Sequence, residues 1–412
     1  MKKLVLLLAL IVSISATAQN VGVTQDSAAQ QIQLNTITTA VPFLIITPDS
    51  RSGALGDAGA ALSPDANSLY WNTSKLAFSK EKAEFSASYS PWLRQLVDDI
   101  HLSYIAGYKK LGDRHAIGGS LRYFSLGNIT FTDQLGNVIR EFNPNEFEVL
   151  GGYAFKLSER SALGFNGKFI YSNLTGGINV GSAGSKSGLA GAVDLSYSYF
   201  NEDVSIGKTD AVWSFATTIS NIGNRIAYTT DADRDFLPAN LRIGTALKME
   251  FDKYNSITGT IDFNKLLVPT PPVLDGSGKG ISGINNDVGV TQGILQSFYD
   301  APGQVTTDAD GTVNVKKGSK FAEELREINI GGGMEYWYSD ILAVRAGYFH
   351  EHDSKGARRY LTFGAGIYYS VFGIDVSYLA AFRRTNPLAN TVRFSLKFKF
   401  GGDKKEKESS FE

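Results

Sequence analysis

The stretch VRFSLKFKF, Val392 to Phe400, alternates without a break. Successive side chains of an extended chain point to opposite faces, so Val392, Phe394, Leu396, Phe398 and Phe400 share one side and Arg393, Ser395, Lys397 and Lys399 the other. A soluble sheet does this once. Here it recurs, with Phe147, Val149, Tyr153 and Phe155 opposite Glu148 and Lys156, and with Leu361, Phe363, Ile367 and Tyr369 opposite Thr362 and Gly364. Segments of about ten residues, apolar on one face, polar on the other and aromatic near their ends, mark an outer-membrane barrel. The expected fold is all-β, an antiparallel transmembrane β-barrel of about 14 strands over residues 81–400.

The rest of the chain agrees. Lys2 and Lys3, an apolar run from Leu4 to Ile14 and small residues at Ala16 and Ala18 read as an export signal over residues 1–18. No later segment approaches the roughly 18 apolar residues a membrane helix needs. The chain has no Cys, which excludes disulfides, thiolate zinc sites and a lipoprotein anchor. A formal net charge of -1 offers no basic field for nucleic acid. The 43 Gly, 25 Phe and 19 Tyr, against 3 Met, suit a large β structure.

Short connections alternate with long ones. KKLGD after Tyr108, KLSER after Phe155, FDKYN after Glu250, YSD after Trp337 and SVFG after Tyr369 read as periplasmic turns. Residues 127–145, 174–186, 221–239 and, longest, 265–327 read as external loops. Asn201 to Asp210 is long for a periplasmic side. This orientation puts both ends of the mature chain in the periplasm, including a charged tail, GGDKKEKESSFE, over residues 401–412.

Residues 19–80 lack the strand pattern and read as an N-terminal extension and hatch that plugs the lumen. Ser63 as cap, Pro64 at the first helical position and Asp65 in the first turn predict a short helix through about Trp71. Inside the barrel, alternation points Arg122, Glu148, Asp194, Arg242, Lys248, Asp262, Glu335, Arg345, Asp375 and Arg393 inward. Mixed signs suit ion pairs that hold hatch and strands together better than an ion-selective pore.

GALGDAGAALSPDANSLYWNTSKLA, Gly53 to Ala77, resembles the hatch of the FadL-like barrel superfamily, which marks Asp57, Asp65 and Asn72 as hatch residues. Asn72, Thr73 and Ser74 stand where many relatives have Asn-Pro-Ala. FAEELREI (321–328), EYWY (335–338), RAGYFHE (345–351), GARRY (356–360), DVSYL (375–379), PLANTVRFSL (387–396) and LPANLRIG (237–244) are similar to the PorV family of the type IX secretion system. That resemblance implies an outer-membrane shuttle, not an enzyme and without cofactors. It would bind secreted proteins through their C-terminal signal domain and take them from the translocon barrel to the surface attachment complex. The wider superfamily implies the alternative, a transporter of hydrophobic small molecules across the outer membrane.

Several loop motifs imitate sites. YFHEHDSKGARRY, Tyr348 to Tyr360, would place His350 and His352 on one face of a strand, yet no third metal ligand stands near them. The plain reading is a polar external loop; the functional one is contact with a partner or with lipopolysaccharide through Lys355, Arg358 and Arg359. Of nucleophiles only Ser354 lies beside the histidines. Asp231, Asp233 and Asp235 have calcium-loop spacing, but Phe236 stands where the turn needs Gly and no Glu follows at the twelfth position. TDADGT, Thr307 to Thr312, reads as a turn and DGSGKG, Asp275 to Gly280, as linker, since Gly follows its lysine. In the longest loop Ile294, Leu295, Phe298 and Tyr299 have helical spacing; they either pack over the barrel mouth or face a partner. Arg383 and Arg384, before the last strand, complete the candidate partner-binding set.

Overall fold

The computed structural model describes residues 34–93, 99–132, 135–177, 184–229, 234–275, 279–307, 313–382 and 390–401. The export signal, Arg383, Arg384, Asp231, Asp233, most of TDADGT, the centre of DGSGKG and the tail beyond Gly401 lie outside these residues.

The alternating segments form β1 Ala83–Pro91, β2 Ile100–Lys110, β3 His115–Leu126, β4 Asn145–Lys156, β5 Ser161–Asn173, β6 Gly188–Ile206 and β7 Thr209–Gly223. They continue as β8 Asn240–Glu250, β9 Asn255–Leu266, β10 Ile328–Tyr338, β11 Leu342–His350, β12 Arg359–Tyr369, β13 Phe372–Ala381 and β14 Val392–Phe400. All fourteen pair antiparallel with their neighbours, and β14 returns to β1 from Ala83↔Phe400 to Tyr89↔Phe394, so the barrel is closed. Closure satisfies the backbone where lipid offers no hydrogen bonds. In β14 Arg393, Ser395 and Lys397 are buried in the lumen, while Phe394, Leu396 and Phe400 face outward.

Two expectations about the connections change. Asn201 to Asp210 is not a long loop, because β6 and β7 extend beyond the other strands and meet across Gly207 and Lys208. Gly207 has φ +65°, the left-handed geometry a tight hairpin needs and glycine supplies without strain. The extra length is absorbed by register shifts at Val193/Leu195 and Asn201/Val204, as bulges allow.

The second change concerns the N-terminal side. Asn35 N–H donates to Ser354 O at 3.1 Å and Ala40 N–H to Phe236 O at 2.9 Å, and both acceptors belong to external loops. The first described residues therefore lie at the external mouth, not in the periplasm. From there the chain passes a 3-10 turn at Pro42–Ile45, helix α1 Ser50–Gly53, helix α2 Ser68–Trp71 and a second 3-10 turn at Thr73–Phe78 before entering β1 from the periplasmic side. The hatch thus threads the lumen from outside inward.

Helix α2 begins later than the sequence suggests. Arg51 Nη2 donates to Ser63 Oγ at 2.8 Å, and Asp65 N–H donates to Ser68 Oγ at 3.1 Å. The Ser63 hydroxyl expected to cap the helix is engaged by Arg51, and Asn67 takes the N-cap position instead.

Candidate functional site

The lumen is filled by side chains that join hatch to wall. Arg51, on α1, donates through Nε and Nη2 to Glu335 Oε2 and Oε1 at 3.0 and 2.8 Å. Glu335 also accepts from Arg345 Nε at 2.6 Å, and Arg345 Nη1 donates to Asp375 Oδ1 at 2.6 Å. Lys397 Nζ reaches Asp65 Oδ2 at 2.8 Å. Asp262 Oδ2 accepts from the backbone N–H groups of Gly59 and Ala60, both at 2.8 Å. Charges buried this deeply need partners at such distances, because an unpaired ion in low dielectric is costly.

The three hatch residues marked in the sequence all take part. Asp57 accepts from the Tyr360 hydroxyl and lies 3.8 Å from Arg393 Nη2. Asp65 pairs with Lys397 and with Arg51 at 3.4 Å. Asn72 Nδ2 donates to Tyr197 O at 2.9 Å and Thr217 O at 3.1 Å, tying the hatch to β6 and β7. Sequence reasoning missed Arg51, Asp49 and Trp71, whose indole N–H donates to Asp49 Oδ1 at 2.6 Å. They sit on non-repeating chain, where period gives no direction.

Between the hatch segment and the external loops lies a cavity of about 950 Å³, lined mainly by apolar residues such as Phe43, Ile46, Trp92 and Phe124, with Tyr360 and Arg393 also in its wall.

The external loops answer the histidine question. Strand β11 ends at His350, so His352 does not share a strand face with it. His352 Nδ1 lies 2.9 Å from Ser354 Oγ, and His350 Nδ1 lies 3.4 Å from the Tyr348 hydroxyl. Burial and the nearby Arg326 guanidinium hold the His352 imidazole below its usual pKa. Among the described residues no group of three or more His, Cys, Asp or Glu side chains is placed to hold a metal ion.

The loop's cations are engaged within the protein. Arg358 donates through Nε and Nη2 to Glu351 at 2.8 and 2.7 Å, the bidentate geometry that suits a carboxylate. Arg359 Nη2 reaches Asp353 Oδ2 at 3.0 Å. Lys355 Nζ donates to Glu323 Oε1 at 2.6 Å and Glu327 Oε1 at 2.9 Å and is nearly inaccessible, so it is no surface anchor for a phosphate. Glu327 also accepts from Lys265 at 2.6 Å, and Glu323 from Asn35 at 3.2 Å. This clasp joins the N-terminal segment, the longest loop and the loop after β11. Its glutamates are legible as an i, i+4 pair opposite Phe321 and Leu325, a signal the sequence reading passed over.

The longest loop carries helices α3 Val290–Gln296 and α4 Ser319–Arg326. Both are turned inside out. In α3 it is Gly293 and Gln296 that are buried; a Cβ on Gly293 would stand 2.9 Å from the Phe236 ring. Ile294 is half-buried, whereas Leu295, Phe298 and Tyr299 are 62%, 49% and 64% exposed. Of the two arrangements the sequence allows, these three residues adopt the exposed one.

The family model of type IX secretion system protein PorV matches residues 28–273. No curated protein matches the chain. Among solved structures, the toluene transporter TbuX of Ralstonia pickettii is similar, at 12% identity over 86% of this chain and 98% of that one, with a TM-score of 0.46. The toluene transporter TodX of Pseudomonas putida shares 11% identity over 89% of this chain and 98% of that one, with a TM-score of 0.45. A FadL homologue of Pseudomonas aeruginosa shares 12% identity over 89% and 99%, with a TM-score of 0.42. Matched over more than half its length and closed as a membrane barrel, the chain belongs to the PorV family and is an outer-membrane component of the type IX secretion system.

Proposed function

We propose that this protein is a non-enzymatic carrier. It binds secreted proteins through their C-terminal signal domain, takes them from the translocon barrel and passes them to the surface attachment complex. The observation that carries this reading is the exposed Leu295 on α3 and Phe298 and Tyr299 in the turn after it, standing outside a lumen that the hatch fills. Aromatic and aliphatic side chains held out from the fold are the usual anchors of protein contacts. Cargo that cannot pass the lumen is handled on the external loops.

The test is Leu295→Glu combined with Phe298→Glu and Tyr299→Glu. All three side chains are exposed, so the barrel should assemble as before. Secretion should fall at least tenfold and the translocon barrel should no longer co-purify; normal secretion with unchanged co-purification would overturn the α3 contact.

A second reading, uptake of a hydrophobic solute, is favoured by the cavity of about 950 Å³ between the hatch segment and the external loops. It requires the hatch to move. The buried ion pairs of Arg51 and Asp65 with the wall oppose that movement.

A further inference from the structure

Helix α4 hides its acids and displays its apolar side chains. Glu323 and Glu327 are buried against Lys355 and Lys265, while Phe321 is 71% and Leu325 53% exposed. The exposed rim around them is basic: Lys316, Lys317, Lys320 and Arg326 all face solvent. The visible face of this segment is therefore apolar and cationic together, although the helix as a whole carries three glutamates with the adjoining Glu327.

Its position says what covers it. Only Glu327 separates α4 from β10, so Leu325 lies no more than about 18 Å along the chain from Ile330. Ile330, Met334, Tyr336 and Tyr338 form the outward, exposed column of β10 that meets lipid. The exposed apolar pair of the helix thus precedes the external end of the strand's lipid-facing column by only a few residues. An exposed apolar pair flanked by exposed lysines is the composition of a helix lying in a membrane interface.

We propose that α4 is an interfacial helix. Phe321 and Leu325 insert into the outer leaflet, and Lys316, Lys317 and Lys320 bind the phosphates of its anionic lipid. This proposal goes beyond the carrier reading and does not depend on it.

The chain contains no Cys, so single nitroxide labels can be placed by Phe321→Cys, Leu325→Cys and, as a water-exposed reference on an external hairpin, Leu135→Cys. Each protein is reconstituted in nanodiscs of lipopolysaccharide or of phosphatidylcholine, and barrel assembly is checked by heat-modifiable gel mobility. At positions 321 and 325, collisions with oxygen should exceed those with a water-soluble nickel chelate severalfold in lipopolysaccharide. The excess should shrink in phosphatidylcholine or after Lys316, Lys317 and Lys320→Gln, while position 135 stays accessible to nickel throughout. Nickel accessibility at 321 and 325 equal to that at 135 in both kinds of disc would overturn the proposal and leave the face to a protein. Equal immersion in both lipids, unaffected by the glutamine variant, would overturn its phosphate-binding half. Neither result bears on co-purification with cargo, which tests the carrier reading separately.

Discussion

Gly347 on β11 faces the hatch with no room for a side chain. A Cβ there would stand 2.2 Å from Gly56 N, and one on Gly331 would stand 2.2 Å from Gly56 O. Gly56 itself adopts φ +69° with Tyr348 O beneath it, so neither side of the contact can yield without moving backbone. Gly347→Ala should displace the hatch, costing about 1–3 kcal/mol of packing. In planar bilayers the variant should show ion conductance that the wild type lacks; an equally silent variant would mean the hatch is sealed by other contacts. The inward direction of Gly347 was legible from the alternation of RAGYF, but its reason was not. A period of two tells which face a residue takes and nothing about what approaches that face.

At the scale of elements, the external clasp responds to pH through two groups of opposite sign. Asp300 Oδ2 accepts from Thr270 N–H at 3.0 Å, and burial lifts its carboxyl to about 6. A carboxyl raised above its unfolded value contributes stability at low pH that is lost as pH rises through the folded value. Glu327 is the reverse: burial alone would raise it, but Lys265 and Lys355 hold it below the usual range, so its contribution is complete above its ordinary value of about 4.3. Of these two carboxyls only Asp300 changes between about pH 5 and 7.5. Limited proteolysis of the loop between β9 and β10 should therefore quicken over that range in the wild type more than in Asp300→Asn. Parallel profiles would remove Asp300 from the clasp. All fourteen strands were legible because each buries one face and exposes the other to lipid. The start of α2 was not legible, because Arg51, remote in the hatch, occupies the hydroxyl of Ser63. The outward turn of α3 was left open for a related reason: amphipathic spacing does not say which face is covered when small and polar residues can be buried as well.

For the whole molecule, the orientation of the hatch is what the sequence could not supply. Loop lengths orient the strands, but a segment without period carries no such sign, and its direction rests on the contacts of Asn35 and Ala40 with external loops. Leu34, 73% exposed, should be accessible from outside the cell. In this Cys-free chain, Leu34→Cys should react with a membrane-impermeant maleimide on intact cells, whereas Leu111→Cys, in the turn between β2 and β3, should react only after permeabilisation. The opposite pattern would invert the hatch.

A threaded, ion-paired plug beneath outward-facing loop helices suits a protein that works by docking rather than by conduction. The decisive measurement is purification of the tagged protein from gently solubilised native outer membranes, with mass spectrometry of whatever accompanies it. Secreted proteins sharing a common C-terminal domain, together with a large translocon barrel, should be recovered. A barrel that emerges alone, holding only lipid or a small apolar solute, would contradict the carrier function.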